Sequence, residues 1–168
     1  MTSEPHEGMM DRAAALASSY FPLVDEDAIR RHADSWTEIG GYLEILAQVH
    51  ETLLKQHSKN SIRPDKSLTQ LHLRVFENLH RQILYCYGMA EHFIKMADII
   101  ELGKLETTAI ALAIISGLDS EIATLMGAHS PEATPDLTDA DQAMRRIATS
   151  VQQQIAELPM PGWTSAKQ

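Results

Sequence analysis

Eight histidines in 168 residues are the first side chains in this sequence that could do chemistry. Neutral imidazole ligates zinc, and it exchanges protons near neutral pH. Helical bundles also build carboxylate-bridged two-metal sites, in which glutamates and two Glu-x-x-His motifs point inward. One such motif is present, Glu77-Asn78-Leu79-His80. At 100° per residue its two side chains fall opposite the apolar stripe of their own helix, so it reads as a solvated face. His32, His50 and His57 differ, because they recur at heptad positions where apolar residues are expected, and so should be buried or half-buried. His72, on the apolar edge of the next helix, could approach His57 across a hairpin, and His50, His57 and His72 together could hold zinc. The other outcomes are seam histidines that only hydrogen-bond, or a pH-responsive seam. The expectation is no resident cofactor.

Arg74 and His80 form an Arg-x5-His pattern on the long helix that follows. This spacing is similar to the catalytic motif of the helical HEPN ribonucleases, whose arginine and histidine pair at a dimer interface. The resemblance covers seven residues, and Val75 stands where that family usually has a polar residue. It implies phosphate binding by Arg74 and proton transfer by His80. Other catalytic patterns are missing. Ser35, Ser116 and Ser120 lack the glycine-flanked elbow of a nucleophilic serine, Gly40-Gly41 is not followed by the lysine of a phosphate loop, and Cys86 falls on a core stripe where a thiol is inert packing.

The elements that would position these residues are helices. Ser67 to Leu102 runs without proline, with an apolar residue every three or four positions, and would span roughly 54 Å as one helix. Leu68, Val75, Leu79, Ile83, Cys86, Ala90, Phe93, Ala97 and Ile100 share one stripe, with Phe76, Tyr87 and Ile94 to one side. A surface that wide must meet more than one neighbour. Ile29 to His57 is the expected partner, with Ile29, Trp36, Leu43, His50 and His57 at one heptad position and His32, Ile39, Leu46 and Leu53 at a second. Asp25 is its expected N-cap, and Gly40-Gly41 its expected weak point. Ser58 to Lys66 supplies a turn, so the two helices should return antiparallel as an αα-hairpin.

Met9 to Tyr20 reads as a shorter helix ended by Pro22. Gly103 has the placement of a C-cap, and Glu106 to Ile115 reads as a separate helix that is apolar nearly all round. A break is expected near Gly117, then a segment Asp119 to Met126, a loop over His129 to Asp136, and a last helix started by Thr138 and Asp141. The expectation is therefore an all-α helical bundle of about five to six helices built on a long antiparallel αα-hairpin. Residues 1–8 would be a disordered tail, 9–158 a single domain and 159–168 a C-terminal tail.

Composition bounds the function. The net charge of −9 is distributed as −5 over residues 1–28, +1 over 29–104 and −5 over 105–168. No basic stripe exists to neutralise phosphates, so nucleic acid is a poor partner. A single cysteine and a polar start, with neither disulfide framework nor export signal, favour a cytoplasmic home. The longest apolar run, Ala109 to Ile115, is too short to cross a bilayer. The reading is a non-enzymatic, homodimeric protein that acts by binding another protein, as adaptor, regulator or inhibitor. Its expected contact residues are Trp36, Leu43, Phe76, Tyr87, Ile94, Ile110, Ile114 and Trp163.

Overall fold

The structure, a computed structural model, describes residues 4–21, 24–60, 66–125 and 137–162. Among these there are four helices and no strand: α1 Glu4–Ser18, α2 Glu26–Asn60, α3 Lys66–Leu125 and α4 Leu137–Glu157. The expected Pro22 stop, residues 61–65 of the connection between the long helices, the 129–136 loop and Trp163 lie outside the described residues.

Four helices replace the expected five to six because α3 continues through both glycines that read as breaks. Gly103 is no C-cap. It is buried inside the helix, and a Cβ there would run into Val151 Cγ2 and lie 3.2 Å from Phe21 Cζ. The glycine serves close approach of neighbouring elements, and that packing outweighs the roughly 1 kcal/mol of helix propensity it forgoes. The helix likewise passes Ser116 and Gly117 without interruption. Gly40-Gly41 does not break α2 either. Tyr87 lies over Gly40, with a would-be Cβ 3.0 Å from its ring, while the space around Gly41 is open. α1 begins at Glu4, ahead of Met9, and α4 begins at Leu137, one residue before Thr138.

The chain divides into two compact units. Met1–Glu26 and Ala97–Leu158 form the first, in which α1, the C-terminal part of α3 and α4 share a core of Ala13, Ala111, Ile114, Ile115 and Met144, flanked by Met9, Tyr20, Ile110, Leu112 and Ala140. Ala13 and Ala111 are fully buried, so small side chains set the closeness of α1 to α3. Two polar clusters tie this unit together. Tyr20 donates a 2.6 Å hydrogen bond to Asp141, and Arg145 Nε donates one of 2.8 Å to the other carboxylate oxygen. Lys104 Nζ donates to Val24 O and to Glu26 Oε2, both at 2.7 Å, and so anchors the start of α2.

Asp27–Met96 and Pro159–Gln168 form the second unit. Here α2 packs antiparallel on the N-terminal part of α3. As the residue number rises along α2 the partner number falls, from His32 on Phe93 and Trp36 on Tyr85 to His50 on His72. Leu79, Ile83, Cys86 and Ala90 of the expected stripe are buried in this unit, together with Met89 and His92, whereas Val75, also expected on the stripe, is exposed. A short C-terminal strap adds a third element: Pro161 packs on Gly88, and Pro159 O lies 3.3 Å from His92 Nδ1.

Candidate protein interface

The seam of α2 is displaced by one position from the expected one. Ile29, Trp36, Leu43 and His50 do face inward, but the series that accompanies them is Ala33, Gly40, Ala47 and Leu54. His32 lies at the exposed edge of the seam, against Phe93, and Ile39, Leu46 and Leu53 point away at 45%, 52% and 56% exposure. The small residues win the inward positions because Ala33 and Gly40 let α2 approach close enough for Tyr87 to cover Gly40. The larger side chains then have no room on that side.

The consequence is a second apolar face. Ile39, Tyr42, Ile45, Leu46, Val49 and Leu53 form an outer stripe on α2, with Tyr42 71% exposed. At 100° per residue it is centred roughly 130° from the inner seam. On an antiparallel pair in this register, Leu71 and Val75 of α3 fall on the same side, and both are exposed. Isolated exposed leucines are ordinary on a protein surface, whereas six apolar side chains on one helix face make that face a candidate contact surface. The opposite flank of α3 carries Leu73, Phe76, Leu84 and Ile94, all exposed, within about 80° of rotation.

The other expected contact residues are distributed between core and surface. Trp36 and Leu43 are half-buried in the inner seam, Trp36 edge-on to Tyr85. Tyr87 packs on Gly40, and partial burial with a hydrogen bond to Glu44 pushes its phenol above the ordinary value. Phe76 and Ile94 are free of the inner seam, at 41% and 44% exposure. Ile110 and Ile114 are spent in the core of the first unit.

Within one chain the described candidate catalytic and metal residues are brought together only in part. Arg74 and His80 are both exposed, and six residues of helix turn their side chains about 120° apart. His50 and His72 do meet, with Nε2 of one 2.9 Å from Nδ1 of the other, while His57 is exposed. No group of three or more His, Cys, Asp or Glu side chains that could hold a metal occurs among the described residues. His50 Nδ1 is buried without a partner. An orphaned N–H is rarer in proteins than an orphaned acceptor, so the pairing that leaves Nδ1 as acceptor, with His50 Nε2–H donating to His72, is the better tautomer. His32 stacks on Phe93 from an exposed position instead of filling the seam. Cys86 is buried, and burial pushes its thiol up, away from the reactive thiolate.

One cleft of about 270 Å³ opens in the first unit between α3 and α4, lined by Ile99, Leu102, Glu106, Arg146, Ile147 and Gln154 among others. Its lining offers the Glu106 carboxylate, the Arg146 guanidinium and the Ser150 hydroxyl. No helix among the described residues is long and apolar enough to cross a membrane. Against known proteins, the chain matches no family model, no curated sequence and no solved structure.

The sequence contains the outer stripe in plain view, as Ile39-x2-Tyr42-x3-Leu46-x2-Val49-x3-Leu53. It is hidden only by a second, interleaved pattern that shares the same helix.

Proposed function

We propose that this chain is a non-catalytic helical interaction protein, which acts by binding another protein and associates with itself through its long helices. The observation that carries the reading is the outer apolar stripe of α2, six side chains between 45% and 71% exposed over fifteen residues. Fully burying an aliphatic side chain is worth about 1.5–3 kcal/mol, so half-exposed side chains still hold roughly half of that in reserve. Six of them, counted on one face, amount to about 5–9 kcal/mol on that scale. A reserve of this size is comparable to the 4–15 kcal/mol that association costs in lost translational and rotational freedom, and a symmetric interface would draw on it twice. The Leu73, Phe76, Leu84 and Ile94 flank of α3 then serves the second protein.

The partition of faces has a direct test in the native host. A tagged copy should retain its partner protein and its biological activity when Arg74 and His80 are changed to alanine, and lose both in a Phe76→Glu, Ile94→Glu variant that keeps its helix content. Loss of activity in the Arg74→Ala or His80→Ala protein, with the partner still bound, would favour the nuclease reading instead.

A further inference from the structure

The spacing of the outer stripe says what covers it. Ile39, Tyr42, Leu46, Val49 and Leu53 follow one another at intervals of three, four, three and four, the a and d positions of a two-stranded coiled coil. The inner positions are already taken by α3, so the outer pattern is a complete seam awaiting a second helix. We propose that this helix is α2 of a second copy of the chain, lying antiparallel about a twofold axis level with residues 47 and 48. The proposal rests on the self-association reading above, and fixes its face, direction and register.

In an antiparallel pair an a side chain meets a d side chain. In the proposed register Leu46 meets Val49 of the copy and Tyr42 meets Leu53 of the copy, each twice by symmetry, and Ile39 meets Gln56 at the two ends. Of the five a and d residues, all but Ile39 are thus matched with another apolar one, and Ile45 lies at the flank of the seam. Charge selects this register over its neighbours. Glu38 and Lys59 are both exposed and flank the stripe at equivalent heptad positions, and this arrangement sets Glu38 of each copy beside Lys59 of the other. Sliding the copy by one heptad one way brings Arg31 against Lys59, and sliding it the other way leaves Glu38 and Tyr42 beyond their apolar or charged partners. A parallel pair would set Glu38 level with Glu38 and Lys59 level with Lys59. A twofold interface repeats each favourable contact, so an acid near one end of the seam and a base near the other are self-complementary only when the helices run antiparallel. Leu71 and Val75 lie on the same side and extend the covered surface to α3.

Disulfide trapping reads the register. Tyr42→Cys and Leu53→Cys proteins, one of them carrying a tag for mass, are mixed and oxidised with glutathione disulfide, alongside each variant alone and the unmodified protein with its buried Cys86. A disulfide needs Cα atoms within about 7 Å. In the proposed register position 42 of one copy is level with position 53 of the other, whereas like positions are displaced by about 17 Å along the axis. The expected result is a mixed disulfide in the combined sample and none in either variant alone. Self-linked Tyr42→Cys would mean a parallel or differently registered pair, and would overturn the proposal. A dimer by light scattering that gives no mixed disulfide overturns the proposal and leaves self-association standing, while a monomeric unmodified protein removes both. As a second measurement that tolerates full-length, unlinked protein, Glu38→Lys should raise the dimer dissociation constant about tenfold, and Glu38→Lys with Lys59→Glu should restore it. Failure of the second change to restore affinity would equally refute the register.

Discussion

Replacing Gly103 by alanine should destabilise the protein, although the same change at Gly41 should stabilise it. Both glycines sit inside helices, and each forgoes about 0.8–1.0 kcal/mol of helix propensity relative to alanine. At Gly41 nothing lies within 4 Å of the new methyl group, so the full gain should appear. At Gly103 the methyl group runs into Val151 Cγ2, with Phe21 Cζ and Cε1 behind it at 3.2 and 3.5 Å. Val151 is 5% exposed and cannot turn aside, because a β-branched side chain in a helix has one strongly preferred rotamer. Overpacking of this kind costs about 1–3 kcal/mol, so the net effect is a loss of up to about 2 kcal/mol. In a chain of this size that lowers the melting temperature by several degrees, at about 2–4 °C per kcal/mol. The assay is thermal and urea denaturation followed by circular dichroism on Gly41→Ala, Gly103→Ala, Val151→Ala and the Gly103→Ala, Val151→Ala double variant. With Val151 trimmed the new methyl group has room, so in that background Gly103→Ala should stabilise. A Gly103→Ala protein that gains as much stability as Gly41→Ala would refute the packing of α4 against α3 on which the first unit rests.

Two further outcomes follow from polar contacts. Hydrogen bonds from Arg145 and Tyr20 hold the Asp141 carboxyl below its ordinary value; for Glu26, burial opposes ionisation, but the hydrogen bond from Lys104 and one from backbone prevail and hold it low as well. Groups with depressed folded values contribute stability that is fully present above the unfolded value and is lost as pH falls through the folded one. The urea midpoint should therefore be level above about pH 5 and decline below about pH 4, and Asp141→Asn should flatten part of that decline. In the second unit, His72→Ala strands the Nε2 of His50 in addition to its Nδ1 and should cost about 1–3 kcal/mol, whereas His50→Leu with His72→Leu removes donor and acceptor together and should be nearly neutral. Equal losses in the two proteins, by urea denaturation, would mean the imidazole contact is absent in solution.

The all-helical class and the buried stripe of α3 were legible because large apolar side chains occupy it, from Leu79 and Ile83 through Cys86 to Ile100. The seam of α2 is not legible, for the opposite reason. Ile29, Trp36, Leu43 and His50 accept a companion series either three or four residues on, and hydrophobicity favours Ile39, Leu46 and Leu53 over Ala33, Gly40 and Ala47. Close approach of two backbones favours the small residues, and only the three-dimensional register with Tyr87 over Gly40 decides between them. Gly103 and Gly117 misled in the same way, since a glycine that ends a helix and one that lets a neighbour in have the same local signature. Of the candidate histidine set, the meeting of His50 with His72 needed the register of the hairpin. The exposure of Phe76 and Ile94 is legible from their place to one side of the stripe, whereas Tyr87, on that same side, is half-buried over Gly40.

The outer face of α2 is the centre of the account, and the mass of the protein in solution tests it most directly. Light scattering or sedimentation from about 1 to 100 μM should give twice the chain mass of 18.7 kDa. A Leu46→Glu, Val49→Glu variant, altered only at half-exposed positions, should fall to the single-chain mass with its helix content intact. A single-chain mass for the unmodified protein throughout that range, or a dimer that survives both glutamates, would contradict it.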